Sequence, residues 1–226
     1  MEIDSGKDLK ALSQGVSDDI TENIKIPVKS IRTIYNFYDF NYIKKKTELP
    51  FHDIDQYKPY IVHVGSSKKQ KRHDILIEAF AKSGLGHRLL LVGSISKKKR
   101  KELITIAKRY NILEKVVFIG WSDNPYAIMK HAELLVLSYD FEGLCNVLIE
   151  ALAVGTRAVS TDCPSGPSEV LTGELRECLA PVGDPEAFSA RIIENVGKPL
   201  GNVEHILQKF QANEIMDKYY NLPLRK

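Results

Sequence analysis

An α/β fold built on a doubly wound parallel sheet is predicted by three observations. From about Tyr60 onward, short apolar runs alternate with amphipathic stretches. The strand-like runs are apolar on both faces, as expected where helices cover a parallel sheet from two sides. Glycines stand at the carboxyl ends of three of them, Gly65, Gly93 and Gly120, and ligands of open parallel sheets bind outside those ends. Strand, helix, strand units repeated in this way read as a Rossmann-like domain.

The elements follow in order. Residues 9–12 read as a short strand, 17–23 as a helix opened by a serine cap, and 32–35 as a second strand. Residues 36–56 are polar, aromatic and irregular, and read as a linker. The sheet itself is predicted from strands at 60–64, 88–92, 116–119, 134–137, 157–161 and 178–180. Helical patterns occupy 74–82, 98–109, 125–131, 145–154, 167–171 and 185–195. Residues 203–220 read as an amphipathic helix ended near Pro223. The expected organisation is therefore residues 1–59 ahead of the sheet, a Rossmann-like domain over 60–200 and a C-terminal helix within 201–226. No internal repeat and no low-complexity tract interrupts it.

Composition narrows the function classes. The 226 residues are 43% hydrophobic, which suffices for a large core, and the net charge is only +3. Lysine bunches at 44–46, 68–72 and 97–101, runs that mark solvated faces but also attract phosphates or an anionic membrane surface. Cys145, Cys163 and Cys178 contain no C-x-x-C pair, which fits a reducing cytoplasm. The N-terminus, MEIDSGKDLK, is polar and reads as no signal peptide. The apolar runs fall well short of the ~18 residues of a membrane helix. A cytoplasmic protein is expected, touching the inner membrane face peripherally through its lysines.

The chemistry concentrates in YDFEGLCNVLIEALAVG, residues 139–155. Glu142 and Glu150 stand eight apart across a strand-to-helix junction, with Gly143 permitting an unusual backbone at the turn. The helix that begins near Leu144 or Cys145 has free amides and a dipole that favours an anion, so a diphosphate fits there without a metal. Glu150 lies in an otherwise apolar helix and needs a partner; a ribose diol supplies two donors.

These segments resemble the retaining glycosyltransferases of GT-B fold whose hallmark is E-x7-E. The resemblance runs over about residues 30–195 and includes IYNFYD (34–39), YIVHVGSSKKQKRHDILIEAF (60–80), LLLVGS (89–94), VVFIGWSDNPY (116–126) and STDCPSGPSEVL (160–171). It implies that Glu150 holds the donor ribose, that Glu142 contacts the transferred sugar near its reacting carbon, and that Lys71 neutralises the leaving diphosphate. Backbone amides of Gly143, Leu144, Cys145, Asn146 and Val147 hold the diphosphate, with Gly65 and Ser66 beside it. Gly120 and Trp121 lie along the nucleobase, and residues 161–166 close the far side of the cleft. The donor implied is a uridine diphosphate hexose or N-acetylhexosamine, and the acceptor a glycan or lipid-linked sugar in surface polysaccharide synthesis.

Two departures stand out. Ser66 occupies a place where the family has an arginine, and Lys68, Lys69 and Lys71 lack the bidentate fork of that residue. Residues 1–35 resemble only the last strand and helix of the family's acceptor-binding domain. A second reading is therefore a non-catalytic nucleotide-sugar-binding module that relies on a separate acceptor-domain subunit.

Other patterns carry less. Asp53-Ile54-Asp55 imitates a D-x-D metal site but falls in the expected linker. The six histidines show no H-x-H or H-x-x-x-H spacing, so no metal site is expected; His63 reads as packed and His131 as a helix C-terminal residue. Gly84-Leu85-Gly86 lacks a third glycine, and no P-loop is present. Nucleic-acid binding would draw on the lysine runs and the aromatics of 35–42, but no such motif occurs.

Overall fold

The computed structural model describes residues 9–25, 31–49 and 54–220. Six parallel strands form the main sheet: β3 (Tyr60–Val64), β4 (Arg88–Val92), β5 (Val116–Gly120), β6 (Leu134–Leu137), β7 (Ala158–Thr161) and β8 (Leu179–Ala180). They lie in the order β5-β4-β3-β6-β7-β8. The chain winds outward from β3 through β4 to β5, then returns to the other side of β3 for β6, β7 and β8. The gap between β3 and β6 is thus the topological switch point, where such sheets open a crevice at their carboxyl ends.

Between the strands run α3 (His73–Lys82), α4 (Lys97–Arg109), α5 (Pro125–Lys130), α6 (Asn146–Ala153), α7 (Pro167–Val170) and α8 (Pro185–Asn195). Helix α3 packs on α4 and α8, whereas α5 packs on α6. Burial on two faces explains the near-continuous apolar strands: Ile61, Val62, Leu89, Leu90, Leu134 and Leu135 are all fully buried. Each predicted sheet element is present within a residue or two of its expected bounds.

Ahead of the sheet, β1 (Leu9–Ala11) and β2 (Ile31–Thr33) pair in parallel around α1 (Gln14–Asn23). The serine cap of α1 is Ser13, whose side chain accepts from Val16 N at 3.2 Å, so the helix starts before the predicted Ser17. The expected linker contains α2 (Phe40–Thr47). Asp39 caps it by accepting from Tyr42 N at 2.9 Å, and Ile43 anchors it against α5 and α6. Eight residues with one deeply buried side chain leave too little periodicity to be read. The single tail helix is two, α9 (Glu204–Gln208) and α10 (Ala212–Tyr220). Buried Phe210 and a parallel bridge between Gln211 and Tyr38 break it; Pro223 lies outside the described residues.

Candidate functional site

The carboxyl ends of β3, β4 and β5 are stitched edge to edge. Gly65 N donates to Val92 O at 2.8 Å and Gly93 N to Gly120 O at 2.7 Å. A Cβ on Gly93, whose φ is +128°, would lie 2.3 Å from the Gly65 carbonyl oxygen. The glycine at 93 is therefore demanded by close strand packing and not by a ligand. Gly120 has φ +84° and open space around it, and the exposed Trp121 follows directly.

Across the switch point, two loops meet. A 3-10 turn after β3 ends at Lys71, and the loop after β6 carries Tyr139 to Gly143. The Lys71 ammonium pairs with the Glu142 carboxylate and rests on the face of Tyr139, 3.5 Å from the ring centroid. Both partners are largely shielded, with side chains 14% and 22% exposed. Tyr139 is held from below, its carbonyl accepting from the Thr161 hydroxyl at 2.6 Å. The loops are also tied directly: Asp140 N donates to Gln70 O at 2.8 Å, and the Ser138 hydroxyl lies 2.9 Å from the carbonyls of both Lys71 and Arg72.

Helix α6 begins beside this pair. Its first residue is Asn146, and Cys145 offers no side-chain cap. Of the amides expected to face a ligand, Gly143 N donates to the Glu142 carboxylate at 3.2 Å and Asn146 N to Leu144 O at 2.8 Å. Leu144 and Cys145 have buried side chains, and Val147 is half-buried. Gly166, with φ +92°, lets the 164–166 loop approach so closely that a Cβ there would sit 3.0 Å from Cys145 N. Ser66 is half-buried and accepts from Lys68 N at 2.9 Å.

One turn along α6, Glu150 faces a cavity of about 310 Å³ lined also by Asn36, Phe37, Tyr38, Asn146 and Tyr219. Burial pushes its carboxyl up to about 7, against a hydrogen bond from the Tyr126 hydroxyl that favours the charged form. Above it, Asn146 Oδ1 accepts from Asn36 Nδ2 at 3.0 Å and from the Tyr38 hydroxyl at 2.5 Å. Asn36 and Tyr38 both fall in the stretch read as a linker and in the IYNFYD segment (34–39) of the resemblance, where nothing marks them as site residues.

The N-terminal unit docks onto the same rim. Glu169 accepts from Gln14 N at 2.8 Å, Gly15 N at 3.0 Å and the Tyr35 hydroxyl at 2.8 Å, so a carboxylate of α7 meets the positive end of α1. Leu12 packs over Gly143. Glu169 lies within the STDCPSGPSEVL segment of the resemblance, but its partner could not be read there, because a carboxylate serving a helix 155 residues away leaves no local pattern.

Other residues considered in the sequence take structural roles. His63 is fully buried, its Nδ1 2.9 Å from Val136 O, and it packs edge-on to buried His73. His131 ends α5. Asp53 lies outside the described residues, and Asp55 pairs with Lys58 at 2.6 Å. Among the described residues no group of three or more His, Cys, Asp or Glu could hold a metal ion, and no helix is long and apolar enough to cross a membrane.

Residues 44–208 match the family described as glycosyl transferases group 1. The chain belongs to that family. Among curated relatives of this glycosyltransferase chain, a Campylobacter jejuni enzyme is 35% identical over 158 residues, covering 70% of the chain and 42% of the relative. It is named N-acetylgalactosamine-N,N'-diacetylbacillosaminyl-diphospho-undecaprenol 4-alpha-N-acetylgalactosaminyltransferase. The N-acetyl-alpha-D-glucosaminyl L-malate synthase of Bacillus anthracis is 27% identical, covering 96% of the chain and 59% of the relative. The chain thus spans about half the length of these relatives. Among solved structures, Anabaena HepE in complex with UDP and glucose superposes with a TM-score of 0.80 at 20% identity, over 94% of the chain and 62% of HepE. The likeness to HepE shows the fold, that of GT-B glycosyltransferases.

Proposed function

We propose that this chain binds a nucleoside diphosphate sugar, a uridine diphosphate hexose or N-acetylhexosamine, and serves its transfer with retention to a glycan or lipid-linked acceptor in surface polysaccharide synthesis. The observation that carries this reading is the meeting of Lys71 and Glu142 at the gap between β3 and β6. A cation and a carboxylate there suit a substrate with a leaving diphosphate on one side and sugar hydroxyls on the other. In this reading Lys71 and the Val147 amide in the first turn of α6 take the charge that develops on the departing diphosphate, without a metal ion. Glu142 accepts from hydroxyls of the transferred sugar, and Glu150 from the ribose diol in the cavity it lines. Gly65 and Ser66 flank the phosphates, and Gly120 and Trp121 the base. The names of the relatives, acting on N-acetylhexosamines, and the UDP in HepE support the donor class.

Calorimetric titration with UDP and GDP, beside a Glu150→Ala variant, tests it. Micromolar binding of one nucleotide that is lost in the variant is the expected result. Unchanged affinity in the variant would remove Glu150 from the ribose site.

A second reading is a non-catalytic donor-binding module. It is favoured by the way the small β1-α1-β2 unit crowds the carboxyl-end loops, with Leu12 over Gly143 and Glu169 holding the start of α1. The acceptor would then be positioned by a separate acceptor-domain subunit, with the exposed lysines of α2 and α4 serving peripheral contact with the inner face of a membrane. Sugar transfer or donor hydrolysis by the pure chain would exclude this alternative.

A further inference from the structure

Arg72 stands next to Lys71 in a conformation that costs a side chain energy. Its φ of 41° and ψ of 49° lie in the left-handed region, where glycine is the unstrained choice. It occupies the N-cap position of α3 yet makes no capping bond from its side chain. Instead the guanidinium forks in two directions. It meets Asp74, in the first turn of α3, at 2.9 to 3.2 Å. Its other arm meets Asp140, in the loop after β6, at 3.0 and 3.3 Å. The fork therefore does not stand in for the arginine missing at Ser66, because both arms are taken by carboxylates.

We infer that Arg72 is a positioning residue that locks the Lys71 loop to the loop of Asp140 and Glu142, holding the Lys71 ammonium at the switch point, where Glu142 meets it in the free chain and a diphosphate would meet it in the complex. Lys71 and Glu142 sit on separate loops, 71 residues apart, and neither loop's own secondary structure fixes their separation. The ties between those loops converge on one short segment: the Arg72–Asp140 ion pair, the Ser138 hydroxyl at the carbonyls of Lys71 and Arg72, and the bond from Asp140 N to Gln70 O. Beside the Lys71–Glu142 pair itself, the first is a side-chain ion pair that spans both loops, and the planar, two-armed guanidinium suits it to reach both aspartates at once. Left-handed geometry at 72 is what turns the side chain back across the gap while the chain enters α3. The role in donor binding rests on the function proposed above; the positioning itself does not.

A double-mutant cycle on UDP affinity tests the role. Arg72→Gly removes the fork and relieves the backbone, so the chain is expected to fold with a melting temperature close to the parent's. Acting through Lys71, it should weaken UDP by about tenfold when Lys71 is present, yet by less than about twofold in a Lys71→Ala background. Equal losses in both backgrounds would overturn the inference. Should Arg72→Gly fail to fold, Asp140→Asn cuts the same bridge and enters the same cycle. If neither UDP nor GDP binds the parent chain, the donor reading fails, and NMR of the Lys71 ammonium decides the positioning alone. A slowly exchanging ammonium signal in the parent that vanishes in Arg72→Gly supports it; a signal present in both, or in neither, overturns it.

Discussion

The ammonium of Lys71 and the carboxylate of Glu142 meet across the switch point of the sheet, over the buried ring of Tyr139. Each neutralises the other in the free chain, so a diphosphate bound as proposed would compete with Glu142 for Lys71. Glu142→Gln is therefore expected to raise UDP affinity by about fivefold, the worth of a partly exposed ion pair. The same change should slow sugar transfer or donor hydrolysis by about a hundredfold or more. Lys71→Ala should weaken UDP by about tenfold or more, because it removes the proposed charged partner of the diphosphate. Calorimetry and a donor-turnover assay on the two variants check this; parallel losses of binding in both would refute the competition.

With Glu150 at the ribose as proposed, binding should depend on pH. Its carboxyl is pushed up to about 7 by burial, above its ordinary 4.5. The folded chain thus holds a proton that the unfolded chain releases. The associated stability is fully present below about pH 4.5 and is lost as pH rises through about 7, amounting to at most about 3 kcal/mol. Glu150→Gln should hence melt at the parent's temperature near pH 4.5 and several degrees higher at pH 8. On the proposed ribose role, nucleotide binding should run the opposite way, since the ionised carboxylate would accept from both ribose hydroxyls. The ratio of parent to Glu150→Gln affinity for UDP should climb between pH 6 and 8, a comparison that cancels the titration of the nucleotide itself. A flat ratio would place the ribose elsewhere.

Two glycines at equivalent strand ends should respond differently to alanine. Gly93→Ala puts a methyl group 2.3 Å from the Gly65 carbonyl oxygen, and backbone cannot step aside as a flexible side chain could. A loss of about 3 kcal/mol or more is expected, with damage spreading to the Gly65 turn. Gly120→Ala meets nothing within 4 Å and carries only the strain of φ +84°, about 1 kcal/mol. Urea unfolding of both variants measures the difference, and equal losses would mean that the close approach at Gly93 is not tight.

The pattern of the six main strands was legible because burial on both faces writes long apolar runs that few other arrangements require. Helix α8 was legible to the residue, since Asp184 caps it and Pro185 opens it. Helix α2 was not, because its stability comes from Ile43 seated against α5 and α6 and not from any repeat of its own. The tail read as one helix for the converse reason: its periodicity continues through Phe210, but a bridge from Gln211 to Tyr38 stops it.

By itself the sequence determined the sheet, its helices and the candidate pair Glu142 and Glu150, because these depend on local periodicity and on a motif within one strand-to-helix junction. Tertiary structure alone decided which groups face each other. It seated Glu150 in a cavity with Asn36 and Tyr38, brought Glu169 to the start of α1, and turned Arg72 toward Asp140. Such contacts join residues tens to more than a hundred positions apart, and their energies depend on burial and distance, which no local pattern in a chain encodes.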